Sequence, residues 1–228
     1  MPRTQTRGIA ALAAGLVAAL LFTTRGISGS PPTVTTLPDP LVDQPITAAK
    51  GEQTIVLAGG CFWGVQAVFQ HVKGVVSATS GYAGGTVSSP SYEQVSSSTT
   101  GHAESVKIVF DSSQVSLGQL LKVFFSVAHD PTELNRQGPD VGSQYRSAVF
   151  YTNEAQHKVV QAYIAQLTQA KAFRDPIVTQ VAPLKAFYEA EGYHQNYYNL
   201  HPNQPYIVIN DRPKVEALKR DFASLWKS

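Results

Sequence analysis

The residue with the clearest chemical potential is Cys61, the single cysteine of the 228-residue chain, set in the run Gly59-Gly60-Cys61-Phe62-Trp63-Gly64. One cysteine excludes any disulfide within the chain and leaves an odd thiol that is inert and buried, paired with another molecule, or reactive. The glycines permit a tight turn and close approach of a substrate. Apolar residues at Phe62, Val65, Val68, Phe69 and Val72 recur at helical spacing, which puts Cys61 at the start of a helix. Backbone N–H groups and the positive dipole end there lower a thiol's pKa, and the thiolate is the nucleophile. The chemistry expected is attack by sulfur on an electrophile held between aromatic side chains.

Such a turn needs a strand before it and a sheet around it. Thr54–Ala58 is a continuous apolar run suited to a buried strand that feeds the glycines. Alternation at Val106, Ile108 and Phe110 predicts a second strand, Ser147–Tyr151 a third, Ile177–Ala182 a fourth and Tyr206–Ile209 a short fifth. Helices are predicted over Leu117–Ala128 and Glu154–Ala172. A last helix, capped by Asp211 with Pro213 near its start, runs to about Trp226. Strands and helices mix without a regular βαβ rhythm, so the expected class is α+β rather than doubly wound.

At 43% hydrophobic and 10% aromatic the chain has enough apolar sequence for one domain with a real core. A formal net charge of +2 with 15% charged residues provides no basic field for gathering phosphates, so nucleic acid is not an expected partner. Arg3 and Arg7 precede an apolar run from Ile9 to Phe22, the shape of an export segment and short for a membrane span. Residues 1–30 are read as a signal peptide or an N-terminal membrane anchor. Pro31 argues against cleavage just before it, and the two alternatives stay open. Residues 31–53, rich in Pro, Thr and Asp, read as an extended linker, and 54–228 as the catalytic domain. The expected location is outside the cytoplasm, periplasmic or extracytoplasmic, either free or anchored.

Around Cys61 the sequence resembles the A class of peptide methionine sulfoxide reductases, and the resemblance continues from about Ile55 to Phe222 through separate blocks in the family's order. They are Gly81-Tyr82-Ala83-Gly84-Gly85, Tyr92-Glu93-Gln94-Val95, Gly101-His102-Ala103-Glu104, His129-Asp130-Pro131-Thr132, Asn135-Arg136-Gln137-Gly138-Pro139-Asp140, Gln144-Tyr145-Arg146-Ser147 and Tyr193-His194-Gln195. The resemblance implies a two-layer α/β plait with a ferredoxin-like core, a mixed sheet and an irregular C-terminal segment. It implies reduction of methionine S-sulfoxide, free or in proteins, by attack of Cys61, which becomes a sulfenic acid. A sulfoxide is a poor electrophile until its oxygen is protonated or strongly hydrogen-bonded. The family pattern puts that acid on Glu104, kept protonated by burial, and phenolic donors on Tyr82 and Tyr145. The resemblance also implies that Asp140 anchors a hydrogen-bond network or water near the cysteine, and that Phe62 and Trp63 hold the substrate's methyl group, with His194 in a supporting place.

His102 and His129 carry no metal-ligand spacing and read as structural; neither a metal nor any other cofactor is expected. Many relatives recycle the enzyme with further cysteines, but Ser96 and Ile207 stand where two of them fall. The reductant must therefore come from outside, as thioredoxin, glutathione with glutaredoxin, or another small thiol. Gln66, where relatives often have Glu, is read as a surface or secondary change of little cost. A monomer is expected. One rival is a cysteine hydrolase or acyltransferase with a histidine base and Asp140. Another is a non-catalytic module that binds methionine-containing peptides and buries Cys61.

Overall fold

The computed structural model describes residues 37–46 and 51–228. The export segment predicted for residues 1–30 lies outside the described residues. Six strands form one sheet: β1 (Glu52–Gly59), β2 (Val75–Ala83), β3 (Ala103–Asp111), β6 (Ser147–Tyr151), β7 (Gln180–Pro183) and β8 (Phe187–Glu189), in the order β7-β6-β1-β3-β2-β8. Two short strands, β4 (Arg136–Gln137) and β5 (Asp140–Val141), make a separate hairpin. Only β6 and β7 pair in parallel; the other pairings are antiparallel, so the sheet is mixed as expected.

The inner four strands, β6-β1-β3-β2, have the order of a split βαβ plait. Helix α1 (Phe62–Gln70) carries the chain from β1 across β3 to β2. Helices α3 (Leu117–Val123) and α4 (Glu154–Gln169) complete the layer with α1. Strand alternation divides the apolar side chains between the two faces. Ile55 and Leu57 of β1, Val106, Ile108 and Phe110 of β3, and Val149 of β6 enter the main core with the helices. Val56, Ala58, Ala103, Ala148 and Phe150 form a smaller cluster on the opposite face.

Several predicted elements change on folding. Tyr206–Ile209 is not a strand: Ile207–Asp211 is a wide helical turn that leads into α6 (Arg212–Asp221). Gln204 Oε1 accepts from the Ile207 amide at 3.0 Å, and Val208 and Ile209 are exposed, so no sheet partner satisfies this β-branched run. Asp211 makes no side-chain cap; it is fully buried and 3.3 Å from the Lys214 ammonium. Helix α6 stops at Asp221, and Trp226 returns to bridge Val72 and stack on His71. Helix α3 gives way at Phe124 to a wider turn ending at Ala128. Helix α4 ends at Gln169, with Lys171 left-handed just beyond it.

The segment read as a linker is partly docked. Leu37 is buried, Tyr163 donates to the Pro38 carbonyl at 2.9 Å, and Gln166 exchanges hydrogen bonds with Asp39 and Leu41. Asp43 accepts from the Ser116 hydroxyl and from the Gly118 amide, at the N-terminus of α3. A Cβ at Gly118 would fall 2.4 Å from the Asp43 carboxylate, so glycine admits this contact.

Candidate active site

Cys61 is the N-cap of α1, where the chain leaves β1 through Gly60 in a left-handed conformation (φ +90°). A Cβ at Gly60 would meet Gln137 at 2.6 Å, so only glycine lets β4 lie this close. From that turn Cys61 faces a cavity of 270 Å³ that it lines with Phe62, Trp63, Tyr92, Glu104, Asp140, Tyr145, Gln204 and Tyr206.

Glu104 enters from β3, 2% exposed, and its Oε2 accepts from the Phe62 amide at 3.0 Å. Burial dominates and pushes its pKa from 4.5 up to about 8; Asp140 and Asp211 add to the rise, and the Phe62 N–H opposes it. At neutral pH the carboxyl therefore carries its proton, as expected for an acid aimed at a substrate oxygen. The thiol departs from expectation. Cys61 is 8% exposed, and burial, then Glu104 and Asp211, raise its pKa well above the ordinary value. The Trp63 amide and the Lys214 ammonium pull the other way without prevailing. A helix N-terminus acidifies a thiol that water also reaches; here desolvation wins, and the resting group is a neutral thiol. Among the described residues no histidine lines the cavities beside Cys61, where a hydrolase would place its base.

Of the two predicted phenols, Tyr145 lines the pocket and Tyr82 does not. Tyr82 pairs with Glu104 across β2 and β3, but its hydroxyl donates to Glu191 Oε2 at 2.8 Å. Its ring packs on Phe62 at 5.9 Å. Tyr92 takes the place expected of Tyr82. It opens α2 (Tyr92–Ser96), whose N-cap Ser91 makes a capping box with Gln94, and its amide donates to Glu191 Oε1 at 2.9 Å. Tyr92 belongs to the block Tyr92-Glu93-Gln94-Val95, and the Ser91-x-x-Gln94 cap before it is the local signal for a fixed helix start there. Tyr206 was missed because its run was read as strand. Burial raises the pKa values of Tyr92, Tyr145 and Tyr206, so all three are O–H donors.

Asp140 is held by the β4–β5 hairpin, whose turn is Gly138-Pro139, and accepts a short hydrogen bond from Tyr206. Tyr145 ends a single 3₁₀ turn (Ser143–Tyr145). There Gln144 ties the loop to α2 through the Ser96 carbonyl and the Ser98 hydroxyl. Trp63 stacks on Tyr197 at 3.8 Å and donates from Nε1 to His194 Nδ1 at 3.2 Å. His194 thus stands behind the pocket wall, in support of Trp63 and Phe62. His102 and His129 are structural, bonded to the Val87 and Phe124 carbonyls. No group of three or more His, Cys, Asp or Glu suited to a metal occurs among the described residues. Gln66 is not at the surface: it is buried, bonds Ala78 O and Gln195 Oε1, and accepts from the Asn196 amide.

Residues 53–225 match the family model described as peptide methionine sulfoxide reductase. The chain belongs to the peptide methionine sulfoxide reductase family. A relative from Mesorhizobium japonicum named peptide methionine sulfoxide reductase MsrA 2 is 56% identical over 78% of this chain and 92% of its own. One of the same name from Synechocystis is 48% identical over 84% and 91%. Among solved structures, the reduced form of Mxr1 from Saccharomyces cerevisiae aligns with TM-score 0.60 at 32% identity, covering 72% of this chain and 92% of that one. Methionine sulfoxide reductase A of Corynebacterium diphtheriae aligns with TM-score 0.58 at 32% identity, covering 77% and 88%. This reductase is thus of the A class, an oxidoreductase acting on a sulfur group, and the hydrolase reading is set aside.

Proposed function

We propose that the reductase binds methionine S-sulfoxide with its methyl group against Phe62 and Trp63. The sulfoxide oxygen faces Glu104, Tyr92 and Tyr145, and the sulfur faces Cys61. The observation that carries this reading is a buried carboxyl, protonated at neutral pH, in the same cavity as the thiol and the phenols of Tyr92 and Tyr145. As Sγ attacks the sulfoxide sulfur, Glu104 gives its proton to the oxygen, and the phenols donate hydrogen bonds as charge develops there. The oxygen then passes to Sγ as the substrate's S–O bond and the new bond between the two sulfurs break, so methionine leaves and Cys61 is left as a sulfenic acid. The thiol's own proton replaces the one Glu104 gave up. Asp140, locked by Tyr206, orients the wall beside the sulfur.

An external thiol, small or carried on a thioredoxin-type protein, then returns Cys61 to the thiol; the single-cysteine sequence supports this. Oxidised proteins and free methionine sulfoxide are the proposed substrates of a monomer working outside the cytoplasm, for which the Arg3 and Arg7 run before Ile9–Phe22 is the support. Turnover on the two separated sulfoxide epimers, with dithiothreitol and with a thioredoxin system, tests the reading. The S epimer should be consumed with either reductant and the R epimer with neither. Equal consumption of both epimers would reject the pose.

A further inference from the structure

Cys61 also lines a second, smaller cavity, of 110 Å³. It shares Cys61, Asp140 and Tyr206 with the sulfoxide pocket and is lined beyond them by Gln137, Asn210 and Lys214. The hydrogen-bonded pair of Tyr206 and Asp140 lines both spaces. Cys61 therefore borders two spaces, one that also holds Glu104 and one that also holds Lys214.

The reaction needs two. The oxygen taken from the substrate lies in the larger pocket, near Glu104. Displacement at sulfur runs in line, so the thiolate that expels this oxygen must arrive from the opposite side. No second cysteine of the chain can do it. The smaller cavity also holds a cation suited to a thiolate. Lys214 is partly buried, stands 3.3 Å from Asp211 Oδ1, lines this cavity with Cys61, and lowers the pKa of the thiol. Asp211 is fully buried beneath it, its other oxygen without a partner, so the ammonium is tethered at one end and keeps donors for a ligand. At 110 Å³ this cavity is less than half the size of the 270 Å³ sulfoxide pocket, a space for one slender mercaptoalkyl arm.

We propose that this smaller cavity receives the thiolate of a low-molecular-weight thiol that reduces the Cys61 sulfenic acid, with the Lys214 ammonium beside the attacking sulfur. The assignment rests on the reductase mechanism above. An S–S bond forms between the incoming sulfur and Sγ as the Sγ–O bond breaks. The hydroxide leaves into the sulfoxide pocket and takes a proton from Glu104 as water. Cys61 is reduced and the incoming thiol oxidised to the disulfide level. A second molecule of the same thiol attacks the outer sulfur, the disulfide departs, and Cys61 leaves as a thiolate beside Lys214; of the two protons that the incoming thiols gave up, one returns to Glu104 and one goes to Cys61.

The test separates the two half-reactions. Methionine released in a single turnover without reductant gives the first rate constant. Loss of the dimedone-reactive sulfenic acid on adding 2-mercaptoethanol gives the second. Asn210→Trp, which fills the cavity, should lower the second at least tenfold more than the first, and Asn210→Ala should not. Lys214→Met should lower the second at least fivefold more than the first, with Lys214→Arg restoring most of it. If Asn210→Trp does not fold by circular dichroism, Asn210→Lys and Asn210→Glu should shift recycling by 3-mercaptopropionate in opposite directions. An unchanged ratio in Asn210→Trp, or no opposite shift in the charge pair, overturns the entry route. A thioredoxin-type protein that recycles the enzyme faster than the small thiol and is equally blocked by Asn210→Trp overturns the assignment to a small thiol. Absence of methionine in the first turnover of the unsubstituted enzyme overturns the reductase mechanism itself, a different result from either.

Discussion

In the proposed mechanism Glu104 is the acid, because burial keeps its carboxyl protonated at neutral pH. Glu104→Ala should lower the single-turnover rate about 10²-fold or more, the usual contribution of a positioned acid. Glu104→Gln keeps both an acceptor for the Phe62 amide and a donor toward the sulfoxide, and should retain much of the rate near pH 7. In the unsubstituted enzyme the first half-reaction should decline as pH rises through about 8, where Glu104 loses its proton, and this decline should vanish in Glu104→Gln. Equal collapse of both variants would show that ionisation or shape, not proton supply, is what Glu104 provides. The same residue has a stability consequence of fixed sign. Between its ordinary pKa of 4.5 and its folded value of about 8 the unfolded chain has released the proton while the folded chain holds it, so stability falls with pH across that window. The melting temperature of Glu104→Gln should therefore gain on the unsubstituted enzyme from pH 5 to pH 8; a constant difference would contradict the burial that raises this pKa.

At the scale of elements, the site is a strand-to-helix turn buttressed by a C-terminal segment. Trp63 is fixed by stacking on Tyr197 and by its bond to His194. His194→Ala should raise KM for the sulfoxide several-fold with a smaller change in kcat, and His194→Asn, which keeps an acceptor, should recover much of the loss. A kcat collapse with unchanged KM would place the ring in the chemical step instead. Gly64 in the first turn of α1 leaves room for Asp211, since a Cβ there would fall 2.1 Å from Oδ1. Gly64→Ala should destabilise by about 1–3 kcal/mol in chemical denaturation, the usual cost of overpacking.

The elements that build this turn are readable because a continuous apolar run, Thr54–Ala58, and a helical spacing from Phe62 to Val72 meet at two glycines. Strand β3 was readable by alternation at Val106, Ile108 and Phe110. Strand β2 was not, because its sequence from Val75 to Ala83 is dominated by small and polar residues whose role is to meet Gln195 and Glu191, far along the chain. The choice between Tyr82 and Tyr92 was equally hidden. Both tyrosines stand in quoted blocks, and only the Glu191 carboxylate, which takes one hydroxyl and the other residue's amide, settles which ring is free to face the pocket. The neutral thiol escaped the sequence too, since a helix start is local and the burial that outweighs it is not.

For the whole molecule, the folded unit extends beyond the catalytic sheet to the segment at Leu37–Ile46. Asp43→Ala removes two hydrogen bonds at the start of α3 and should cost about 1 kcal/mol, as loss of a helix cap does, with activity unaffected. No change in the denaturation midpoint would mean that this segment adds no stability. A reporter fused after residue 50 should be found outside the cytoplasm; one retained inside would reject the export proposal. The measurement that bears most directly on the account is the product balance of one turnover with no reductant present. Methionine S-sulfoxide should yield one methionine per chain and leave a single dimedone adduct on Cys61, with neither product in Cys61→Ser. Methionine formed without the adduct, or formed by Cys61→Ser, would contradict the claim that this sulfur takes the oxygen.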